Sequence, residues 1–229
     1  MFNSGFLLII AIAAVGMVVQ MRLKSVFEKY SKIAFPRNLT GREVAEKMLR
    51  ENGIYDVKVI STPGQLTDHF NPTNKTVNLS ESVYNSISVS AAAVAAHECG
   101  HAVQHAQHYA PLKMRSTLVP VVQFSSMWSQ ITIMVGAVAL YSFPSLSWVF
   151  WLGIAMFVMV LLFSVITLPV EYDASRRALA WLKNSGTVQG REYNQAKEAL
   201  TWAARTYLVA ALSALATLIY YLGFARNND

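Results

Sequence analysis

The chain of 229 residues is poor in charge and poorer still in thiol and imidazole: 14% of its residues are charged, five are histidine and one is cysteine. Each shortage excludes something. With 54% hydrophobic residues against so little charge, the chain is too apolar for an ordinary soluble domain, and a membrane protein is expected. A lone Cys99 forms no intramolecular disulfide, which suits a reducing compartment. On a helix it points about 100° away from each neighbour, so packing is its expected role. The long apolar stretches hold no His, Asp or Glu at mid-depth, only amides and hydroxyls such as Gln123 and Gln130, so an ion path through the membrane lacks ligands.

Four stretches are long enough to cross a bilayer: residues 5–21, 118–143, 146–168 and 206–224. No basic residue precedes the first, and positive charges follow it, which favours a retained anchor over a cleaved signal peptide. Twelve Lys and Arg residues lie between the first and second stretches. Six more (Arg176, Arg177, Lys183, Arg191, Lys197 and Arg205) lie between the third and fourth, and none lies around Pro144. By the positive-inside rule, residues 22–117 and 169–205 belong in the cytoplasm, with the N-terminus and the Arg226 tail outside. The net charge of +6 is then a property of loops flanking membrane spans, and no nucleic-acid partner is expected.

Against this background the run His97-Glu98-Cys99-Gly100-His101, an HExxH pattern after an Ala-rich stretch, carries the chemistry. Four positions apart on a helix, the two histidines share a face and can hold one metal ion, and Glu98 sits beside them to handle a water. Neutral imidazoles bind Zn2+ without cancelling its charge, the ion acidifies a water, and a carboxylate takes the proton. A straight helix carries His105 about 12 Å along the axis from His97, too far to share an ion. The metzincin extension is absent, because its Gly and third His would fall on Gln104 and Gln107.

Local patterns organise the rest. Thr40 and Glu43 form a capping box ahead of Val44, Ala45, Met48 and Leu49, with a stop at Asn52-Gly53. Tyr55, Val57 and Val59 alternate as in a half-buried strand, and Pro63-Gly64 turns the chain. The turn Asn71 to Asn74 separates residues 66–70 from 76–79 as a hairpin, whose edge is available either to an extended peptide or to nothing beyond structure. The helix carrying HExxH is expected to start near Ser88 or Ser90. The third ligand must share the cytoplasmic side with His97 and His101. Pro169 suits a helix start, and Glu171 and Asp173 are the nearest acids there. Glu171 is the better candidate, since an uncovered carboxylate so near the bilayer is costly and zinc would compensate it. Surface ion pairs to Arg176 and Arg177 are the alternative.

HECGH after an Ala run, LPVEYDASRRALAWL after a hydrophobic span, and DHFNP upstream together resemble the YugP-like bacterial membrane zinc metallopeptidases, over almost the whole chain. The resemblance implies Zn2+ bound by His97, His101 and Glu171, with Glu98 as catalytic base. The chain is similar, more distantly, to HtpX-like and CAAX prenyl proteases, whose glutamate ligand is usually followed four positions later by an aspartate that steadies a histidine; here that position is Ser175. Asp173, two positions along a helix, points about 200° away and is no simple replacement.

The expected fold is therefore a mainly α membrane protein of four transmembrane helices plus a small α+β zincin-like catalytic domain, residues 22–117, with HExxH on a helix and the third ligand on the helical segment 169–205. The expected function is a multi-pass cell-membrane zinc metalloendopeptidase with its site on the cytoplasmic side and membrane-associated proteins or peptides as substrates. His69, in DHFNP, is a candidate oxyanion donor, with a turn-stabilising role as the alternative. A site-2-type intramembrane protease is disfavoured, because the Ala-rich run is too short to span and no Asp-Gly ligand motif follows in a later span. An inactive zinc-binding scaffold has no need of Glu98.

Overall fold

The computed structural model describes residues 4–188 and 190–226. Met1 to Asn3, part of the stretch ahead of the first apolar segment, lie outside it. Seven α-helices and three strands are described: α1 (Ser4–Ser31), α2 (Gly41–Glu51), β1 (Lys58–Thr62), β2 (His69–Asn71), β3 (Thr76–Ser80), α3 (Glu81–Tyr84), α4 (Val89–Ala106), α5 (Ala110–Ser142), α6 (Trp148–Asn184) and α7 (Arg191–Arg226). Four of these helices, α1, α5, α6 and α7, are long and apolar enough to cross a membrane.

The chain divides into two compact units. One takes the described part of residues 1–18 and 206–229, with 114–168. Its helices turn large apolar side chains outward (Met134, Val138, Trp151 and Leu152 among them), as segments solvated by lipid should. A Cβ on Gly136 would lie 2.3 Å from the Phe150 backbone, and one on Gly153 2.7 Å from the Ile133 nitrogen, so α5 and α6 meet backbone to backbone through glycine.

The other unit takes residues 19–113 and 169–205. Thr40 caps α2 as a complete capping box with Glu43, and the helix buries Val44, Ala45, Met48 and Leu49. It stops at Asn52, and Gly53 takes the left-handed φ of +73°. The sheet order is β1-β3-β2, with β1 parallel and β2 antiparallel to the central β3. In the hairpin, Asn71 Oδ1 accepts from the backbone N–H groups of Thr73 and Asn74 at 2.9 and 3.1 Å, an Asx turn that reverses the chain. The core joins Val26 and Tyr30 of α1 to α2, Val77 and Leu79 of β3, the alanines of α4, Ala178 and Leu182 of α6, and Ala199 and Leu200 of α7.

Three sequence expectations need correction. The first strand begins at Lys58, and Tyr55 is exposed, outside it. The strand before the hairpin begins at His69, because Leu66 takes a φ of +58° that no strand accommodates. Pro169 does not start a helix: α6 runs through it without a break, so the third apolar stretch and the segment bearing Glu171 are one helix. Proline removes one backbone hydrogen bond and crowds the preceding turn, a loss that helices at membrane depth accommodate through their neighbours and local adjustment.

Candidate metal centre

Ser88 caps α4, its Oγ accepting from the Ala91 N–H at 3.2 Å, and the buried run Ala91 to Ala96 leads into the motif. Gly100 decides where α6 docks. A Cβ at Gly100 would lie 2.5 Å from the Ala174 carbonyl oxygen and 3.1 Å from its carbonyl carbon and Cα, so the two backbones touch here. Glu171 stands one turn before Ala174 and so faces the histidines on either side of Gly100.

His97 Nε2 lies 3.2 Å and His101 Nε2 3.6 Å from Glu171 Oε2. One donor atom from each residue falls within 4.8 Å of the others. Tetrahedral zinc, with bonds of about 2.0–2.1 Å, spaces its ligand atoms about 3.3–3.4 Å apart, and the two carboxylate–imidazole spacings match this. Burial alone would push the Glu171 carboxyl up, but the imidazoles of His101 and His97 hold it below the usual carboxylate range. Burial works against the His101 cation, yet the Glu171 and Glu98 carboxylates raise its pKa above that of an ordinary histidine. A carboxylate that is 1% exposed and faces two imidazoles suits a divalent cation.

Both rings are held from behind. Gln104, fully buried, donates through Nε2 to Val170 O at 2.8 Å and to Asp173 Oδ2 at 2.9 Å. Its Oε1 therefore accepts from His101 Nδ1, 3.0 Å away, which leaves Nε2 to face Glu171 and, with an ion bound, to act as the ligand atom. Ser175 Oγ lies 3.1 Å from His97 Nδ1 and so fixes the second ring from behind. Asp173 is held in turn by Arg176 and Arg177, so those arginines pair with Asp173 rather than with Glu171. Asp173 thus acts through Gln104 on His101, a route that helix angles alone did not reveal. Gln104 had one sequence signal: it is a polar residue one turn beyond His101, on the helix face that carries both histidines.

The remaining candidates fall as follows. Glu98 is buried next to the ligands, and no side chain among the described residues takes up its carboxylate. Cys99 packs in the core with Sγ 3.5 Å from Ala45 O, and burial pushes its thiol up. His105 is exposed, its ring 5.7 Å from that of Phe70. His69, on β2, is exposed and has Nδ1 2.7 Å from Thr67 O, while its neighbour Asp68 accepts from the Ser80 N–H at 2.7 Å.

The family model described as "Putative neutral zinc metallopeptidase" matches residues 5–226. The chain belongs to this family. It is also 41% identical over 221 residues, 96% of either chain, to a Bacillus subtilis (strain 168) protein named "Putative membrane protease YugP". No solved structure matches it. Membership of this family, the similarity to a protein named as a membrane protease and four helices able to cross a membrane together support a membrane-bound zinc protease.

Proposed function

We propose that the chain is a zinc metalloendopeptidase that cleaves membrane-associated proteins or peptides at the cytoplasmic face, using a zincin-like site on α4. The observation that carries this reading is Glu171 Oε2 set 3.2 and 3.6 Å from the two HExxH imidazoles. His97, His101 and Glu171 hold the ion, and two imidazoles with one carboxylate leave it a net positive charge. Zinc, when bound, supplies a Lewis acid that polarises a scissile carbonyl and acidifies a water. Glu98 takes the proton of that water and passes it to the leaving amine. Gln104 and Ser175 keep the Nδ1 protons of the two ligands in place, so each ring presents its lone pair forwards.

His69 is the proposed donor to the developing oxyanion. Its Nδ1 donates to Thr67 O, 2.7 Å away, which holds the ring in place on β2. The outer edge of β2 offers backbone groups to an extended peptide. The catalytic part comprises residues 22–117 and 169–205, on the side where the flanking lysines and arginines accumulate. The test is metal removal: the purified full-length chain in detergent should cleave casein, lose the activity to a chelator and regain it on adding Zn2+. Cleavage that survives complete zinc stripping overturns the proposal.

A further inference from the structure

The ends of α6 and α7 frame a groove of about 440 Å3. Its cations are Arg176, Lys183 and Lys197, and no carboxylate is among its described lining residues; tyrosine, leucine, alanine, asparagine and threonine side chains complete its wall. Arg176 shares its charge with Asp173, while Lys183 and Lys197 pair with no carboxylate among the described residues, and this excess of positive charge attracts an anion.

Two lining residues, Ser175 and Arg176, also belong to the metal centre. Ser175 is 8% exposed, with Oγ 3.1 Å from His97 Nδ1; when His97 Nε2 binds the ion, Nδ1 carries the ring proton and Oγ accepts it. Its own hydroxyl proton then needs an acceptor. Elsewhere on these two helices Ser164, Thr167 and Thr201 return their hydroxyl to the carbonyl four residues back, at 3.0, 2.8 and 2.7 Å. Among the described hydrogen bonds Ser175 makes no such bond, which leaves its O–H for the groove. Arg176, with its side chain 78% exposed, reaches from the groove to Asp173, the carboxylate to which Gln104 donates.

We propose that this groove binds a phosphate group and that the bound anion tightens zinc binding at the neighbouring centre. Phosphate oxygens match a guanidinium fork, two ammonium groups and a hydroxyl donor. By accepting the Ser175 O–H, the anion polarises that hydroxyl, makes Oγ a better acceptor for His97 Nδ1–H and so makes His97 Nε2 a stronger ligand. By sharing Arg176, it leaves Asp173 more negative towards Gln104 and His101. Both effects have the same sign. The phosphate belongs to an anionic lipid headgroup or to a free anion, and the coupling, though not the binding, rests on the zinc site proposed above.

The experiment uses the full-length chain in detergent, with phosphate binding followed by calorimetry and zinc retention by competition with a chelator. Inorganic phosphate should bind the zinc-loaded parent saturably and raise its zinc affinity about fivefold or more. By linkage, removing zinc should weaken phosphate binding by the same factor. The exposed pair Lys183→Gln and Lys197→Gln should lose phosphate binding and the zinc response while holding zinc, without phosphate, as the parent does. Equal phosphate binding by the parent and the pair overturns the site. Binding lost in the pair with no phosphate effect on zinc in the parent overturns the coupling. A chain that binds no zinc refutes the metal-site reading, while the comparison of parent and pair still decides the groove. Nanodiscs separate the sources: a zinc response in phosphatidylglycerol but not phosphatidylcholine discs, without added phosphate, assigns the lipid. A response only on adding phosphate assigns the free anion, and no response in either overturns the proposal.

Discussion

Replacing Gly100 by alanine tests how the centre is assembled. The new Cβ would sit 2.5 Å from the Ala174 carbonyl oxygen, almost an ångström short of ordinary contact, and the other near atoms are Ala174 backbone as well. Backbone cannot rotate aside, so α4 and α6 must separate. Overpacking of this kind costs about 1–3 kcal/mol, against which the better helix propensity of alanine returns at most about 1 kcal/mol. Glu171 lies one turn from the contact and moves with α6. Metal ligands tolerate displacements of only about 0.2 Å, so zinc retention should fall further than stability does. Gly223→Ala, on α7 with nothing within 4 Å of the added Cβ, is the control. The assay is thermal unfolding of the metal-free protein in detergent, followed by zinc content after dialysis against a weak chelator. A Gly100→Ala protein that melts with the parent and keeps its zinc refutes the account of the helix contact.

Three further outcomes are expected. Glu171→Ala should lose zinc on dialysis, whereas Asp173→Ala should lower zinc affinity only through Gln104; equal zinc in both variants and the parent, measured by mass spectrometry, contradicts the ligand assignment. Gln104→Leu, which removes the acceptor behind His101 Nδ1, should weaken zinc binding about 10–100-fold by chelator competition, and an unchanged affinity contradicts the support role. In a Cys99→Ala background, Lys75→Cys should react with a membrane-impermeant thiol reagent only in opened cells and Ser145→Cys in intact ones; labelling of Lys75→Cys in sealed cells places the catalytic part outside.

Local signals translated directly into local structure. Thr40 and Glu43 specify a helix start, Asn52-Gly53 its end, Ser88 the cap of α4 and Asn71 the hairpin turn, because each acts through hydrogen bonds within a few residues. What escaped prediction depends on neighbours far along the chain. Pro169 reads as a helix start, yet α6 continues through it. Tyr55 extends an alternating pattern but lies outside β1, since strand length is set by pairing to β3. At the candidate site, HExxH is visible as a pattern, and Glu171 through its position after an apolar stretch. Gln104 and Ser175 gain their meaning only when Gly100 meets Ala174, a contact between residues 74 positions apart that no periodicity encodes.

The central claim is that Glu98 moves the proton for a zinc ion held by His97, His101 and Glu171. Glu98→Gln keeps the size of the side chain and removes its proton acceptor. Casein cleavage by zinc-loaded parent and variant, each with its zinc-to-protein ratio measured on the same sample, tests this directly. Full zinc in both with cleavage abolished in the variant is the predicted result. Cleavage by the zinc-loaded variant at the parental rate would contradict the account.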